Sequence, residues 1–247
     1  MKPLFKQNIE KELKKGKVIL WIIDLKKGQK YIEYFKSNLS SDEVEKSDKF
    51  RFKKDCNCFI ITRGVLRVLL SHYLNLNTNQ IHFQYSYYGK PKLIPKYNLS
   101  FNVSHSGNFS VIGFFKGAEI GVDIEECKND FDVLEIAQNF FSKKEIEALN
   151  QIPENQRERA FFRCWTRKEA FIKAEGSGLS FPLDKFTVSL KSDDEASLLN
   201  TYWDEKEKSK WSLHAFSPYP NYLAAVAVKG NVKNYNLYDW DELINKH

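Results

Sequence analysis

In the stretch "EIGVDIEE" (119–126), Ile120, Val122 and Ile124 alternate with Gly121, Asp123 and Glu125. A period of two predicts a strand with its apolar set on a core. The other face then carries a glycine and two acids, whose Cα atoms lie about 7 Å apart at a rise of about 3.3 Å per residue. Like charges that close repel, and a cation between them relieves the repulsion. Hard oxygen ligands suit Mg²⁺ or Mn²⁺. Gly121 is expected to let a ligand approach the backbone. The competing reading is a solvated strand face continued by "IEECKND".

A third carboxylate lies in "WTRKEAFIK" (165–173). On a helix Glu169 and Lys173 are at i and i+4 and share a face, with Trp165 one turn earlier on the same stripe. Lys168 stands beside Glu169 and is read as splaying toward the same ligand. A carboxylate, two ammonium groups and an indole would suit a metal-diphosphate ligand. An exposed helix with a common Glu–Lys pair and a core tryptophan is the alternative. "NVSHSGN" (102–108) adds Ser104, His105 and Ser106, whose hydroxyls, imidazole and backbone N–H groups can bind phosphate. A Ser–His hydrolase is the rival there, but adjacent strand residues point to opposite faces, which is poor geometry for activating Ser104. Lys90 in "YYGKP" is either a phosphate contact on a rigid turn or a solvated hairpin lysine.

These residues need elements to hold them. "KVILWIIDL" (17–25) reads as a buried strand. Ser40 and Glu43 form a capping box that opens a helix, and residues 58–74 read as a buried helix. Residues 81–93 read as a strand broken by a Gly-Lys-Pro turn, and 99–117 as a hairpin around Ser106-Gly107. Ser142 and Glu145 form a second capping box. Residues 155–176 read as a long helix with Gly176 as C-cap. Strands are expected at 184–190, 210–216 and 222–230, with a polar hairpin loop or its edges at 191–210. The C-terminal "NYNLYDWDELINKH" is expected to be a tail or short helix.

The halves echo one another. Each has a capping box, then a Thr-Arg pair in a long helix (Thr62-Arg63, Thr166-Arg167), and "NFSVIGFFKG" aligns with "NYLAAVAVKG" without a gap. This order predicts a duplicated α/β unit: an α+β fold, a pseudodimer of subdomains 1–122 and 123–247 with a cleft between them.

Bulk composition narrows the class. The chain of 247 residues is 42% hydrophobic, 28% charged and 15% aromatic, ordinary for a soluble globular protein. Its net charge of +6 is a modest excess spread along the chain, with no basic helix or aromatic RNA-binding motif, so nucleic acid is not an expected partner. Four cysteines without C-x-x-C spacing argue against a zinc–thiolate site and fit an intracellular, cytoplasmic protein. The N-terminus lacks the apolar core of a signal peptide and no run reaches membrane-spanning length, so no membrane association is expected.

"YYGKPKL", "FNVSHS", "IGVDIEE" and "CWTRKEAFIKAEGSGLS" occur in the order and approximate spacing of the Sfp-type 4′-phosphopantetheinyl transferases, which this chain resembles from Gly89 to Ser180 and more loosely beyond. The resemblance implies a monomeric pseudodimer with the cofactor between its halves. It implies transfer of the 4′-phosphopantetheine arm of coenzyme A to a serine of an apo carrier protein, releasing adenosine 3′,5′-bisphosphate. Asp123, Glu125 and Glu169 match metal-binding acids, Glu169 also a general base, and Lys173 and Lys168 lysines near the diphosphate. Lys90, Ser104 and His105 match contacts to the adenosine moiety, Lys46 a further basic contact, and Trp165 an aromatic lining the site. The carrier is expected near residues 128–145, with Phe131, Leu134 and Phe140 as apolar contacts or as plain core. One departure stands out. Glu43 or Glu45 occupies the region where the family's best-known members place a basic residue, with Arg63 or Arg67 as candidate substitutes. The rival of another class is a non-catalytic module of the same fold that binds coenzyme A or a carrier protein.

Overall fold

The computed structural model describes residues 3–128, 131–176, 178, 181–193 and 195–241. Asn129 and Asp130 of the expected docking segment lie outside the described residues, as do Ser177, Leu179 and Ser180 of the helix-end motif, Asp194, and residues 242–247 of the C-terminal stretch.

In chain order the helices are α1 (Pro3–Lys14), α2 (Leu25–Gly28), α3 (Ile32–Ser37), α4 (Ser41–Asp48), α5 (Lys53–Leu74), α6 (Val133–Phe140), α7 (Lys143–Asn150) and α8 (Glu154–Glu175). The strands are β1 (Val18–Asp24), β2 (Gln84–Tyr85), β3 (Pro91–Lys92), β4 (Ser100–Ser106), β5 (Phe109–Phe115), β6 (Ile120–Glu126), β7 (Phe186–Val188), β8 (Leu198–Thr201), β9 (Trp211–Phe216), β10 (Tyr222–Lys229) and β11 (Tyr235–Asp239). The fold is mixed α and β.

Two sheets carry the architecture, one in the order β11-β1-β5-β4 and the other β6-β10-β9. They lie face to face. Val18, Leu20 and Ile22 of β1 meet Ile120, Val122 and Ile124 of β6 and Ala224, Val226 and Val228 of β10 in one apolar layer. The alternate residues of β1, Ile19, Trp21 and Ile23, point outward to a second core built with α5. Leu223, Ala225 and Ala227 of β10 point to a third, built with α8. Burial on both faces is why "VILWII" and "YLAAVAV" read as continuous apolar runs.

Both long helices end on a left-handed residue, Asn75 after α5 and Gly176 after α8. Capping boxes open α4 at Ser40 and α7 at Ser142. Both capping acids are buried and paired with a cation from the following long helix: Glu43 with Arg67, Glu145 with Lys168.

Several elements depart from the sequence reading. Residues 81–93 form only the two-residue strands β2 and β3 around a turn at Ser86–Lys90. The expected strand at 184–190 is three residues long, and its partner β8 comes from the polar stretch expected to be a hairpin loop or its edges. The C-terminal stretch, expected to be a tail or short helix, carries a strand at Tyr235–Asp239, β11, parallel to β1 with Val18 opposite Tyr235, and Asp241 after it is helical. "YNLYD" has no apolar alternation, and only the exposed edge of β1 makes it a strand.

Candidate functional site

The site is a seam between β4 and β6 with α8 laid across it. Side chains rather than a backbone ladder join the two strands. Asn102 Oδ1 accepts the Val122 N–H at 2.9 Å, Ser104 Oγ donates to Asp123 Oδ1 at 2.8 Å, and Ser106 Oγ donates to Glu125 Oε2 at 2.8 Å. Asn102 was not singled out from sequence, and Ser106 was read as a phosphate-binding hydroxyl rather than as a link to Glu125. The signal was present, since polar residues recur at every second position of "FNVSHS".

Gly121 has a different role from the one expected of it. A Cβ there would lie 2.1 Å from the Ala170 carbonyl oxygen and 2.3 Å from the Ala174 nitrogen. The glycine admits a helix, not a ligand. The strand face is therefore covered, and Asp123 is only 2% exposed. The close crossing brings Glu169 and Lys173 over Asp123. Lys173 Nζ reaches Asp123 Oδ1 at 2.6 Å and Ser104 Oγ at 3.0 Å.

Three carboxylates thus share one ammonium group. Burial, and then the Asp123 charge, pushes both Glu125 and Glu169 up to about 7. Burial also raises Asp123, against the pull of Lys173. Desolvation works against the charge of Lys173, but the carboxylates around it outweigh this and hold it above its ordinary value. Asp123 Oδ2 and Glu169 Oε1 are buried with no hydrogen-bond partner. Buried acceptors without donors, in a cluster short of positive charge, are what a hard cation satisfies. Among the described residues no three His, Cys, Asp or Glu side chains already stand in metal-holding geometry. Lys173 holds the other Asp123 oxygen, Oδ1.

Ser104 and His105 part company, as strand geometry requires. Ser104 turns inward to Asp123, so it is a link in the seam and not an open phosphate contact. His105 turns outward into a pocket of about 350 Å³ that it lines with Lys46, Phe50, Phe59 and Arg63. Burial and then Lys173 lower its pKa. Lys46, expected only loosely, is therefore brought to His105. Arg63 completes the set. Its guanidinium lies 5.7 Å from the Phe59 ring centre and 5.1 Å from that of Phe83. Its Nη1 is buried without a partner. Arg63 also lines an adjoining pocket of about 300 Å³ with Tyr88, Gly89, Lys90 and Lys173. Arg67 is not the substitute for a missing base, because it is buried on Glu43, Ser40 and the Thr78 and Ile81 carbonyls.

Two expected ligand contacts are committed elsewhere. Lys168 is fully buried: its Nζ pairs with Glu145 Oε2 at 2.8 Å and donates to the Leu183 and Phe186 carbonyls at 2.7 Å each. It is one residue from Glu169, but a helix turns about 100° per residue, and that carries it to the face of α7. Lys90 Nζ is held by Glu119 and two backbone carbonyls. Trp165 packs in an aromatic cluster with Phe140, Phe141 and Phe161, toward α6. Of the apolar docking candidates, Phe131 and Phe140 are exposed while Leu134 is half-buried. No helix among the described residues is long and apolar enough to cross a membrane.

A sequence model of the 4′-phosphopantetheinyl transferase superfamily matches residues 119–227. Another, for the N-terminal part of 4′-phosphopantetheinyl transferase, matches residues 28–114. The chain is 34% identical over 216 residues to the 4′-phosphopantetheinyl transferase HetI of a Nostoc species, covering 86% of this chain and 88% of that one. It is 40% identical over 162 residues to the Bacillus subtilis 4′-phosphopantetheinyl transferase ffp, covering 66% and 71%. To Sfp of Bacillus subtilis it is 38% identical over 166 residues, covering 67% and 73%. The chain belongs to the 4′-phosphopantetheinyl transferase superfamily.

Proposed function

We propose that this phosphopantetheinyl transferase moves the 4′-phosphopantetheine arm of coenzyme A onto the serine hydroxyl of an apo carrier protein, releases adenosine 3′,5′-bisphosphate, and does so with a divalent cation held by Asp123, Glu125 and Glu169. The observation that carries it is the cluster of buried Asp123 and Glu169 with half-buried Glu125, with unpartnered oxygens on Asp123 and Glu169, beside two pockets lined by cations.

The chemistry asks for such a site. A serine oxygen must attack a phosphorus shielded by negative oxygens, forming one P–O bond as the bond to the bisphosphate breaks. Mg²⁺ or Mn²⁺, when bound, supplies charge neutralisation at the diphosphate. Glu169 takes the hydroxyl proton. Lys173, freed from Asp123, offsets charge on the departing phosphate. Lys46, Arg63 and His105 hold the 3′-phosphate end of coenzyme A.

The common order of β1-β5-β4 and β6-β10-β9, each backed by a 22-residue helix, supports reading the chain as a pseudodimer. In that reading the second repeat begins with β6 at Ile120, a few residues before the 122/123 division. The internal cleft makes a monomer sufficient. We place the enzyme in the cytoplasm, without nucleic-acid or membrane partners, and dock the carrier on residues 128–145 about Phe131 and Phe140. The net charge of +6 would steer an acidic carrier toward it.

Intact-mass measurement tests the reading. The protein is incubated with coenzyme A, Mg²⁺ and a panel of apo carrier proteins, with and without EDTA. A metal-dependent gain of one phosphopantetheine arm is expected. Bound coenzyme A without any gain would favour the non-catalytic module.

A further inference from the structure

Lys90 lies on the turn between β2 and β3, in the first half of the chain. The turn is fixed by its own bonds: Ser86 Oγ accepts the Lys90 N–H at 3.1 Å, and the Ser86 carbonyl accepts the Gly89 N–H at 2.9 Å. From there the side chain, 10% exposed, runs across to the second half. Its Nζ donates to the Lys173 carbonyl at 2.7 Å, to the Ile120 carbonyl at 3.1 Å and to Glu119 Oε2 at 3.0 Å. Three acceptors exhaust the three donors of an ammonium group.

The two carbonyls are not arbitrary. Lys173 is in the last turn of α8, where backbone carbonyls have no intrahelical donor and a cation is favoured by the helix dipole. Ile120 is the first residue of β6. One ammonium group therefore ties the end of the helix carrying Glu169 and Lys173 to the start of the strand carrying Asp123 and Glu125. Glu119 holds it in place and is itself pinned by Lys92 at 2.8 Å.

We propose that Lys90 is a positioning residue: a clamp from the first half that fixes α8 against β6, rather than a ligand for a phosphate of coenzyme A. Its catalytic consequence rests on the transferase reading, while its mechanical consequence does not. Releasing the clamp lets the end of α8 move relative to β6, and displacements of about 1 Å at a reacting centre cost up to roughly a hundredfold in rate.

The test is Lys90→Met, read first by hydrogen–deuterium exchange without any ligand. Exchange should accelerate in both peptides that the clamp joins, 119–126 and 169–176. In carrier-modification assays kcat should fall about ten- to a hundredfold, with the KM for coenzyme A changed less than kcat. Lys90→Arg, which can still donate to both carbonyls, should restore most of the protection and the rate. Unchanged exchange together with a tenfold or greater weakening of coenzyme A binding would overturn the clamp and make Lys90 a ligand contact. Should Lys90→Met not fold, Glu119→Gln serves instead: loosening the anchor of the ammonium should speed exchange in both peptides, and unchanged exchange there would overturn the clamp. A wild-type protein that binds no coenzyme A would defeat the transferase reading whatever the exchange shows.

Discussion

Lys173 Nζ stands 2.6 Å from Asp123 Oδ1, in a cluster where two buried acids, Asp123 and Glu169, adjoin the half-buried Glu125. The protonation of Glu125 and Glu169 follows from that burial. Glu125 and Glu169 sit near 7 when folded and near 4.3 when unfolded. Between about pH 4.5 and 7 the folded state therefore binds more protons, so stability falls as pH rises through that window and levels off above it. Asp123, also raised, adds to the same slope. Lys173 is raised as well, but its contribution is fully present below its unfolded pKa near 10.4 and stays constant here. The metal-free protein should lose on the order of a few kcal/mol of stability from pH 5 to pH 8. Mg²⁺ binds the deprotonated acids, so the rise in Tm on adding it should grow across the same range. Thermal melts with and without Mg²⁺ at several pH values check both. A gain in Tm that is constant with pH would remove these acids from the metal site.

Glu169→Gln separates chemistry from folding. The wild-type carboxylate is 8% exposed and one of its oxygens has no partner, so a neutral amide of the same shape relieves a desolvated charge. Tm at pH 8 should hold or rise. Transfer should slow by roughly a hundredfold to ten-thousandfold, the usual worth of a positioned general base. Wild-type turnover would take Glu169 out of the mechanism.

Gly121→Ala tests the crossing of α8 over β6. The added methyl would meet backbone atoms at 2.1 and 2.3 Å, and backbone cannot swing aside as a side chain can. Overpacking of this kind costs about 1–3 kcal/mol, and here the strain separates Glu169 from Asp123. Both Tm and transfer rate should drop. Since the backbone of α8 covers Gly121, a variant with normal stability but abolished coenzyme A binding would restore the reading of a ligand approaching the backbone.

The sequence carried the site's acids because their carriers have strong periods. Ile120, Val122 and Ile124 mark a strand, while Glu169 and Lys173 fall one helical turn apart. Burial on both faces made β1 and β10 legible as well. What pairs across the fold was not legible. Lys168 is next to Glu169 in sequence, but its partner Glu145 comes from another helix, and only packing reveals that. Gly121 looked like room for a ligand because the helix above it is about 50 residues away. Arg63 and Arg67 share a helix and a residue type. Both pair with Glu43, Arg63 through Oε1 at 3.6 Å and Arg67 through Oε2, and only packing shows that Arg67 is enclosed while Arg63 reaches a pocket. β11 left no trace, since an edge strand of Tyr and Asn owes its form to its neighbour.

Lys168 yields the last prediction. Its ammonium and the Glu145 carboxylate are both fully buried, 2.8 Å apart. Glu145 Oε2 also accepts the Ser142 N–H at 2.8 Å, and Oε1 accepts the Val188 N–H at 2.7 Å, so it knits α7 to β7. Removing one member of such a pair strands a charge in the core and costs about 3–5 kcal/mol. Lys168→Met should therefore destabilise strongly in urea unfolding. Combining it with Glu145→Gln removes the stranded charge and keeps an acceptor for one of the two N–H groups, so the double variant should recover part of the loss. Its affinity for coenzyme A should match wild type within about twofold, a difference of roughly 0.4 kcal/mol. A stable double variant with tenfold weaker binding would return Lys168 to the diphosphate, where its place in the motif first put it.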